Sequence, residues 1–190
     1  MVEEARLEAV DSGLVPVSAG WFVLNLSDAA WVENELAGGI TILESDEFFL
    51  QGRPELTAYE KQLAGFNVRV IQPGQIALYH YETHQQEDFL VVQGECLLLI
   101  EEQQRRLRAW DYVHCPPGTA HGFVGAGDGP CVIVGAGNRT NEGEIVRPRS
   151  ELALSHGAGV EEETTRFPHK RFGPWPLQRP ARWAELPWAT

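Results

Sequence analysis

Between Phe66 and Gly137 the sequence is a succession of short apolar runs broken by turn residues, at intervals of about ten. The runs are 67–71, 76–82, 88–93, 96–100, 105–109, 112–115, 122–124 and 131–134. The breaks are Pro73-Gly74, Gly94, the polar stretch 101–104, Pro116-Pro117-Gly118 and the glycine-rich segment 125–130. Runs of this length are strands, and no helical periodicity lies between them. The pattern predicts an all-β antiparallel sandwich or barrel, with up to eight strands from this stretch.

The flanks are less regular. Residues 1–12 read as a short helical start or loose chain, Trp21–Leu26 as a strand ended by Ser27-Asp28, and Thr41–Leu43 as a second short strand. Residues 51–65 read as loop with one helical turn, and Glu151–Leu154 as another such turn. From Phe167 the chain is basic and rich in Pro and Trp. Proline removes ladder donors, so this stretch cannot form a central strand. Its tryptophans predict an extended arm packed on the barrel or on a neighbouring subunit, in preference to a lid over a pocket.

The whole chain has 190 residues, 27 acidic and 15 basic, for a formal charge of −12. Such a surface repels phosphate backbones and anionic lipid, so nucleic acid and membranes are not expected partners. No apolar run approaches the roughly 20 residues of a membrane span. The first residues, Met1-Val2-Glu3-Glu4-Ala5-Arg6, lack a basic leader and an apolar stretch, which points to a cytoplasmic protein. Cys96, Cys115 and Cys131 are odd in number and lie in apolar runs, so buried, reduced thiols are expected.

Two clusters hold ligand-type side chains: Tyr79-His80-Tyr81-Glu82-Thr83-His84-Gln85-Gln86-Glu87 and His114-Cys115-Pro116-Pro117-Gly118-Thr119-Ala120-His121. With a period of two, Ile76, Leu78, His80 and Glu82 share one strand face, and Glu87 opens the next strand on a face with Phe89 and Val91. If those faces form the interior, His80, Glu82 and Glu87 converge inside an apolar barrel. A buried carboxylate is costly unless paired. A divalent cation removes that cost, and an incomplete protein shell leaves positions for water or substrate.

The two clusters resemble the paired motifs of the cupin superfamily. The first motif, G-x5-H-x-H-x(3,4)-E-x6-G, is matched by Gly74, His80, Glu82, Glu87 and Gly94, with Glu82 in place of the second histidine. The second, G-x5-P-x-G-x2-H-x3-N, is matched by Pro116, Gly118 and His121, with Trp110 for the first glycine and Gly125 for the asparagine. The wider wording is similar to small single-domain bacterial cupins. The resemblance implies a double-stranded β-helix, or jelly roll, within a single domain 1–190. Its barrel core would be 66–137, with an N-terminal extension 1–65 and a C-terminal extension and arm 138–190.

The resemblance further implies a metal inside the barrel, held by His80, Glu87 and His121, with Glu82 at the fourth position. His84 is the alternative to Glu82 if the strand runs on through Thr83. Two imidazoles and two carboxylates suit Fe(II), Mn(II), Ni(II) or Zn(II). The implied activity is that of a metal-dependent enzyme acting on a small polar or aromatic molecule, of dioxygenase, isomerase or lyase type. Glu82 is the carboxylate that can leave the metal and serve as a base. The alternatives are a non-catalytic binder or sensor of a small ligand, and a structural protein keeping a relic site. Leu90 and Val92 opposite Glu87, with apolar residues on both faces of 96–100, give an outer surface that needs cover, so a homodimer is expected.

Overall fold

The computed structural model describes residues 1–43, 63–139, 142–165, 179–186 and 188. All eight runs read from the sequence between Phe66 and Gly137 are strands. They are β5 (Ala64–Ile71), β6 (Ile76–Glu82), β7 (Glu87–Gln93), β8 (Glu95–Ile100), β9 (Gln103–Arg108), β10 (Tyr112–Cys115), β11 (His121–Ala126) and β12 (Cys131–Asn138). Before them come β1 (Leu7–Val10), β2 (Gly13–Pro16), β3 (Trp31–Asn34) and β4 (Gly38–Ile42). After them come β13 (Ile145–Val146), the one-turn helix α1 (Glu151–Ser155) and β14 (Arg179–Ala181).

Two antiparallel sheets face each other. One runs β10-β7-β12-β5-β4-β3-β14 and the other β13-β6-β11-β8-β9. The fold is therefore the expected all-β jelly roll. Ile71, Val91, Val113, Cys115, Cys131 and Ile133 from the first sheet meet Cys96, Leu98, Leu107 and Phe123 from the second in one buried cluster. The three cysteines are buried and unbridged, as the sequence predicts.

Both outer faces carry cover from within the chain. On the five-stranded sheet, Ile76, Tyr79, Leu99 and Val124 pack with Ala153 and Ala158, in and just beyond α1. Ser150 caps α1 by accepting a hydrogen bond from the Ala153 N–H at 3.0 Å. On the seven-stranded sheet, Trp31, Val68 and Val70 pack with Ala181, Leu186, Trp183 and Trp188. The Trp31 ring lies 5.4 Å from that of Trp183 and 6.2 Å from that of Trp188. The C-terminal arm thus packs on the barrel and also supplies an edge strand, in which Pro180 stands opposite Val32. Trp175 and the rest of 166–178 lie outside the described residues. Leu90 and Val92, on which the homodimer expectation partly rests, are half-buried beside the exposed Tyr112.

The N-terminal part departs from the sequence reading. Residues 1–12 contain no helix; Leu7–Val10 pairs with Gly13–Pro16 across a two-residue turn. Trp21–Leu26 is not a strand: Trp21 makes a single bridge to Glu4, and Trp21 and Val23 are 51% and 83% exposed. The Asn25 side chain accepts from the Ser27 N–H, and the Asn25 carbonyl from Asp28 N–H, so local turn bonding wins over the apolar pattern. The short strand expected at Thr41–Leu43 starts earlier, at Gly38, and ends at Ile42. The loop with a helical turn expected at 51–65 falls largely outside the described residues, and its last two residues open β5.

Trp31 is 1% exposed and joins the arm to the sheet. Trp31→Ala should lower unfolding free energy by about 3–5 kcal/mol in urea denaturation, whereas Trp21→Ala should change it by less than about 1 kcal/mol.

Candidate metal centre

Strands β6, β7 and β11 bring three side chains together. The ligand atoms of His80, Glu87 and His121 all lie within 4.8 Å of one another. Glu87 Oε2 is 3.7 Å from His80 Nε2 and 3.3 Å from His121 Nε2. Donors bound to one transition metal at about 2.1 Å stand roughly 3–3.5 Å apart, so the cluster has the spacing of a ligand set.

The inward face of β6 is not the one that strict alternation predicts. His121 pairs with His80, but Phe123 pairs with Ala77, so two steps on β11 oppose three on β6. This β-bulge shifts the strand phase. Ala77 packs against the barrel interior, whereas Ile76, Leu78 and Tyr79 belong to the outer cluster under α1. Ile76 and Leu78 therefore do not share the metal-side face with His80. Tyr79 and Tyr81 cover the outside, both packing in that outer cluster.

Both imidazoles are oriented the same way. His80 Nδ1 lies 2.7 Å from the Leu78 carbonyl and His121 Nδ1 lies 2.9 Å from the Thr119 carbonyl. A carbonyl can only accept, so each Nδ1 carries a proton and each Nε2 points to the shared centre. Phe89 stacks 5.1 Å from the His121 ring and holds it from the side.

Glu87 Oε2 and His121 Nε2 are both buried, and beyond their 3.3 Å contact with each other neither has a hydrogen-bond partner. Buried polar atoms are nearly always satisfied, so two such atoms facing one point mark a place for a cation. The residues present thus fit a divalent metal. Glu82 ends β6 on its rim, half-buried, with its backbone carbonyl accepting the Gly118 N–H at 2.8 Å. It is not a member of the three-residue cluster. Nor is His84, which lies in the bend after β6, exposed, with Nδ1 2.9 Å from Thr83 Oγ1.

Charge around the centre is arranged unevenly. Burial, and then the neighbouring His121, push His80 down to about 4, and Arg147 adds to the effect. Burial also acts to lower His121, but Cys115 and Glu87 beside it outweigh this and carry it up to about 10. Burial raises Glu87, yet His121, His80 and Arg139 hold it below the usual carboxylate range. Without metal, His121 keeps a proton against the Glu87 carboxylate, and His80 is neutral.

Several neighbours escaped the sequence reading. Cys115 pairs with Glu87 across β10 and β7 and lies against His121. Its place in the same strand as the second motif was the available signal. Arg69, Arg139 and Arg147 bring positive charge to the ligands from strands and turns outside both motifs. Trp110, standing where the family has glycine, takes φ 76 and is 79% exposed. The left-handed conformation explains the family's glycine. Here it is held by the Trp110 N–H bonding the Val91 carbonyl and by Asp111, whose carboxylate caps the turn by accepting the Arg108 N–H.

Metal entry must displace the His121 proton, while His80 and Glu87 need lose none near neutral pH. Apparent Zn(II) affinity should therefore rise roughly tenfold per pH unit between pH 6.5 and 8, measured by competition with a chromophoric chelator. A flat profile would mean that His121 is already neutral in the metal-free protein.

Comparison with known proteins follows the same lines. Residues 67–136 match the family model of the cupin domain. No curated protein matches the sequence. Among solved structures, the chain is similar to a sugar phosphate isomerase of the cupin superfamily from Silicibacter pomeroyi, at 25% identity over 45% of this chain and 61% of that one, TM-score 0.41. It is also similar to an uncharacterised protein with a double-stranded β-helix domain from Klebsiella pneumoniae, at 25% identity over 45% and 76%, TM-score 0.42. A third likeness is to the polyketide cyclase RemF from Streptomyces resistomycificus, at 14% identity over 66% and 83%, TM-score 0.49. The chain spans 61% of the length of the first of these, and 55% of a matched structure from Acidithiobacillus ferrooxidans. With the jelly-roll topology, both motifs in register and the family match over the barrel strands, residues 67–136 are a cupin domain.

Proposed function

We propose that the chain is a metal-dependent enzyme acting on a small polar molecule at a mononuclear divalent centre held by His80, Glu87 and His121. The observation that carries this reading is the pair of buried atoms Glu87 Oε2 and His121 Nε2, 3.3 Å apart, with Glu87 Oε2 also 3.7 Å from His80 Nε2. The donor set suits Fe(II), Mn(II), Ni(II) or Zn(II). A bound metal of this class would supply Lewis acidity toward a substrate oxygen. The chain's own groups do the rest. The Leu78 and Thr119 carbonyls fix the imidazoles, Phe89 and the apolar interior exclude water, and Glu82 on the rim is the carboxylate available as a base or as a further ligand.

The purified protein should carry close to one transition metal per chain by elemental analysis. Glu87→Gln keeps the size of the side chain but loses the charge, and should abolish stoichiometric loading. Glu82→Gln should weaken loading, because β6 ends at Glu82 and brings it to the rim, while His84→Ala should retain it. Metal titration of the variants side by side, with circular dichroism for the fold, decides. Full retention in Glu82→Gln would leave His80, Glu87 and His121 as the whole protein contribution; loss in His84→Ala alone would give that residue the fourth position.

Self-association is a separate proposal, resting on Leu90 and Val92 beside exposed Tyr112 on the outer face of the seven-stranded sheet, with exposed Trp110 in the turn before it. Light scattering at micromolar concentration should give a mass near twice 21.2 kDa. A mass of 21.2 kDa at every concentration would mean that the chain's own arms give the sheets all the cover they need.

A further inference from the structure

One cation inside the barrel is left without a use by the metal centre. Arg69 lies on β5, opposite Ile133 on β12 and Ile40 on β4. Cross-strand partners share a face, and Ile133 with Ile71 belongs to the buried interior cluster. Arg69 therefore points into the barrel, while its neighbours Val68 and Val70 pack outward under the tryptophans.

Among the described residues, no group accepts a hydrogen bond from the Arg69 guanidinium. Burial holds it below its ordinary value, and Glu87 is the carboxylate whose charge opposes this. Once Glu87 binds a divalent cation its negative charge is no longer available to Arg69. An interior guanidinium without a counter-charge is costly and persists only where something else repays it.

The wall around Arg69 is built to leave room. The inward positions of β12 beyond Ile133 are Gly135 and Gly137, level with Phe89 and Glu87 on β7 and with Asn67 and Gly65 on β5. Arg139 folds over this bare strip. A Cβ on Gly65 would fall 2.0–2.3 Å from its guanidinium, and one on Gly137 would be 3.2 Å from Nη1. A second arginine is thereby seated beside Glu87, and buried Arg147 brings a third positive charge toward His80. Arg69 and Arg139 thus act on Glu87 and Arg147 acts on His80, in a chain whose net charge is −12.

We infer that the barrel takes an anionic ligand, an organic acid or a phosphate ester, whose charged group is held by Arg69 beside the metal centre. The planar guanidinium fork matches the two oxygens of a carboxylate or phosphate. This assignment of substrate class rests on the proposed function, but the anion site itself is a property of the chain's own residues and is measurable without metal.

The test is isothermal titration of metal-depleted and Mn(II)-loaded protein with inorganic phosphate and with succinate, in wild type, Arg69→Met and Arg69→Lys. At least one anion should bind saturably to wild type, more tightly than neutral glycerol. Arg69→Met should weaken that binding at least about tenfold, with Arg69→Lys between the two. Whichever of succinate and phosphate binds tighter distinguishes the carboxylate from the phosphate source. Thermal melts in anion-free buffer supply the second readout: Arg69→Met should melt no lower than wild type, because it removes a half-buried charge that makes no hydrogen bond among the described residues. An arginine with a purely structural role would give a lower melt in both variants, and that result, or failure of both to fold, overturns the inference. So does wild type that binds neither anion, or a variant that binds them unchanged. If Mn(II) loads normally and no anion binds, the anion site fails while the metal centre stands. If phosphate binds through Arg69 and no metal ever loads, the reverse holds.

Discussion

One additional residue in β6 decides where the chemistry sits. Between Ala77 and His80 the strand takes three steps against two on β11, and that change of phase turns His80 inward while Tyr79 goes out beneath α1. Without it, strict alternation from Ala77 would bring Tyr79 inward and send His80 to the outer sheet face. The imidazole could then meet neither Glu87 nor His121. The rest of the centre is secured by ordinary pairing: His121 sits opposite both His80 and Ile100, in the middle of its sheet, and Glu87 opposite Cys115 and Gly137. The bulge is thus the joint at which two rigid sheets are set to one point.

The centre is also held electrically. Two carbonyls, each two residues before the histidine it serves, hold the Nδ1 atoms, so both Nε2 atoms face one point before any ligand arrives. His80 is kept neutral by burial, and His121 is kept protonated by Cys115 and Glu87. The pair behaves as one site with a single removable proton, which a divalent cation replaces with a larger charge at the same place.

Much of this was legible in the sequence, for a physical reason. Strands buried on both faces and separated by tight turns leave apolar runs and Gly/Pro breaks in the text, so all eight barrel strands could be read. His80, Glu87 and His121 could be read because motif spacing fixes which strand ends meet. The bulge could not, since an inserted residue leaves the composition unchanged. Strand β3 takes one of its partners from distant chain, Arg179–Ala181 against Trp31–Glu33, whereas β1 and β2 form a local hairpin of four-residue strands too short to leave a clear period. The exposed Trp21 and Val23 show the converse, apolar residues of a run that packs only through its other positions, such as Leu26. Arg69 did leave a trace, a lone cation alternating with Val68 and Val70, but single positions in a short strand carry little weight without the register.

The strand that seals the seven-stranded sheet is far from its neighbour in the chain: the Arg179–Glu33 contact joins residues 146 apart. Barrel strands β5 to β12 are contiguous and close over short loops, so the domain can form while the β3 edge is still open. During synthesis that edge stays an unpaired row of donors and acceptors until the arm emerges, and any other extended segment can occupy it first. When β14 docks, Pro180 faces Val32 with no N–H to offer, and the tryptophans that follow lock it over Trp31. The arm therefore works as a late-arriving stopper, and the interval before it seats is when this barrel is most open to pairing with a second copy.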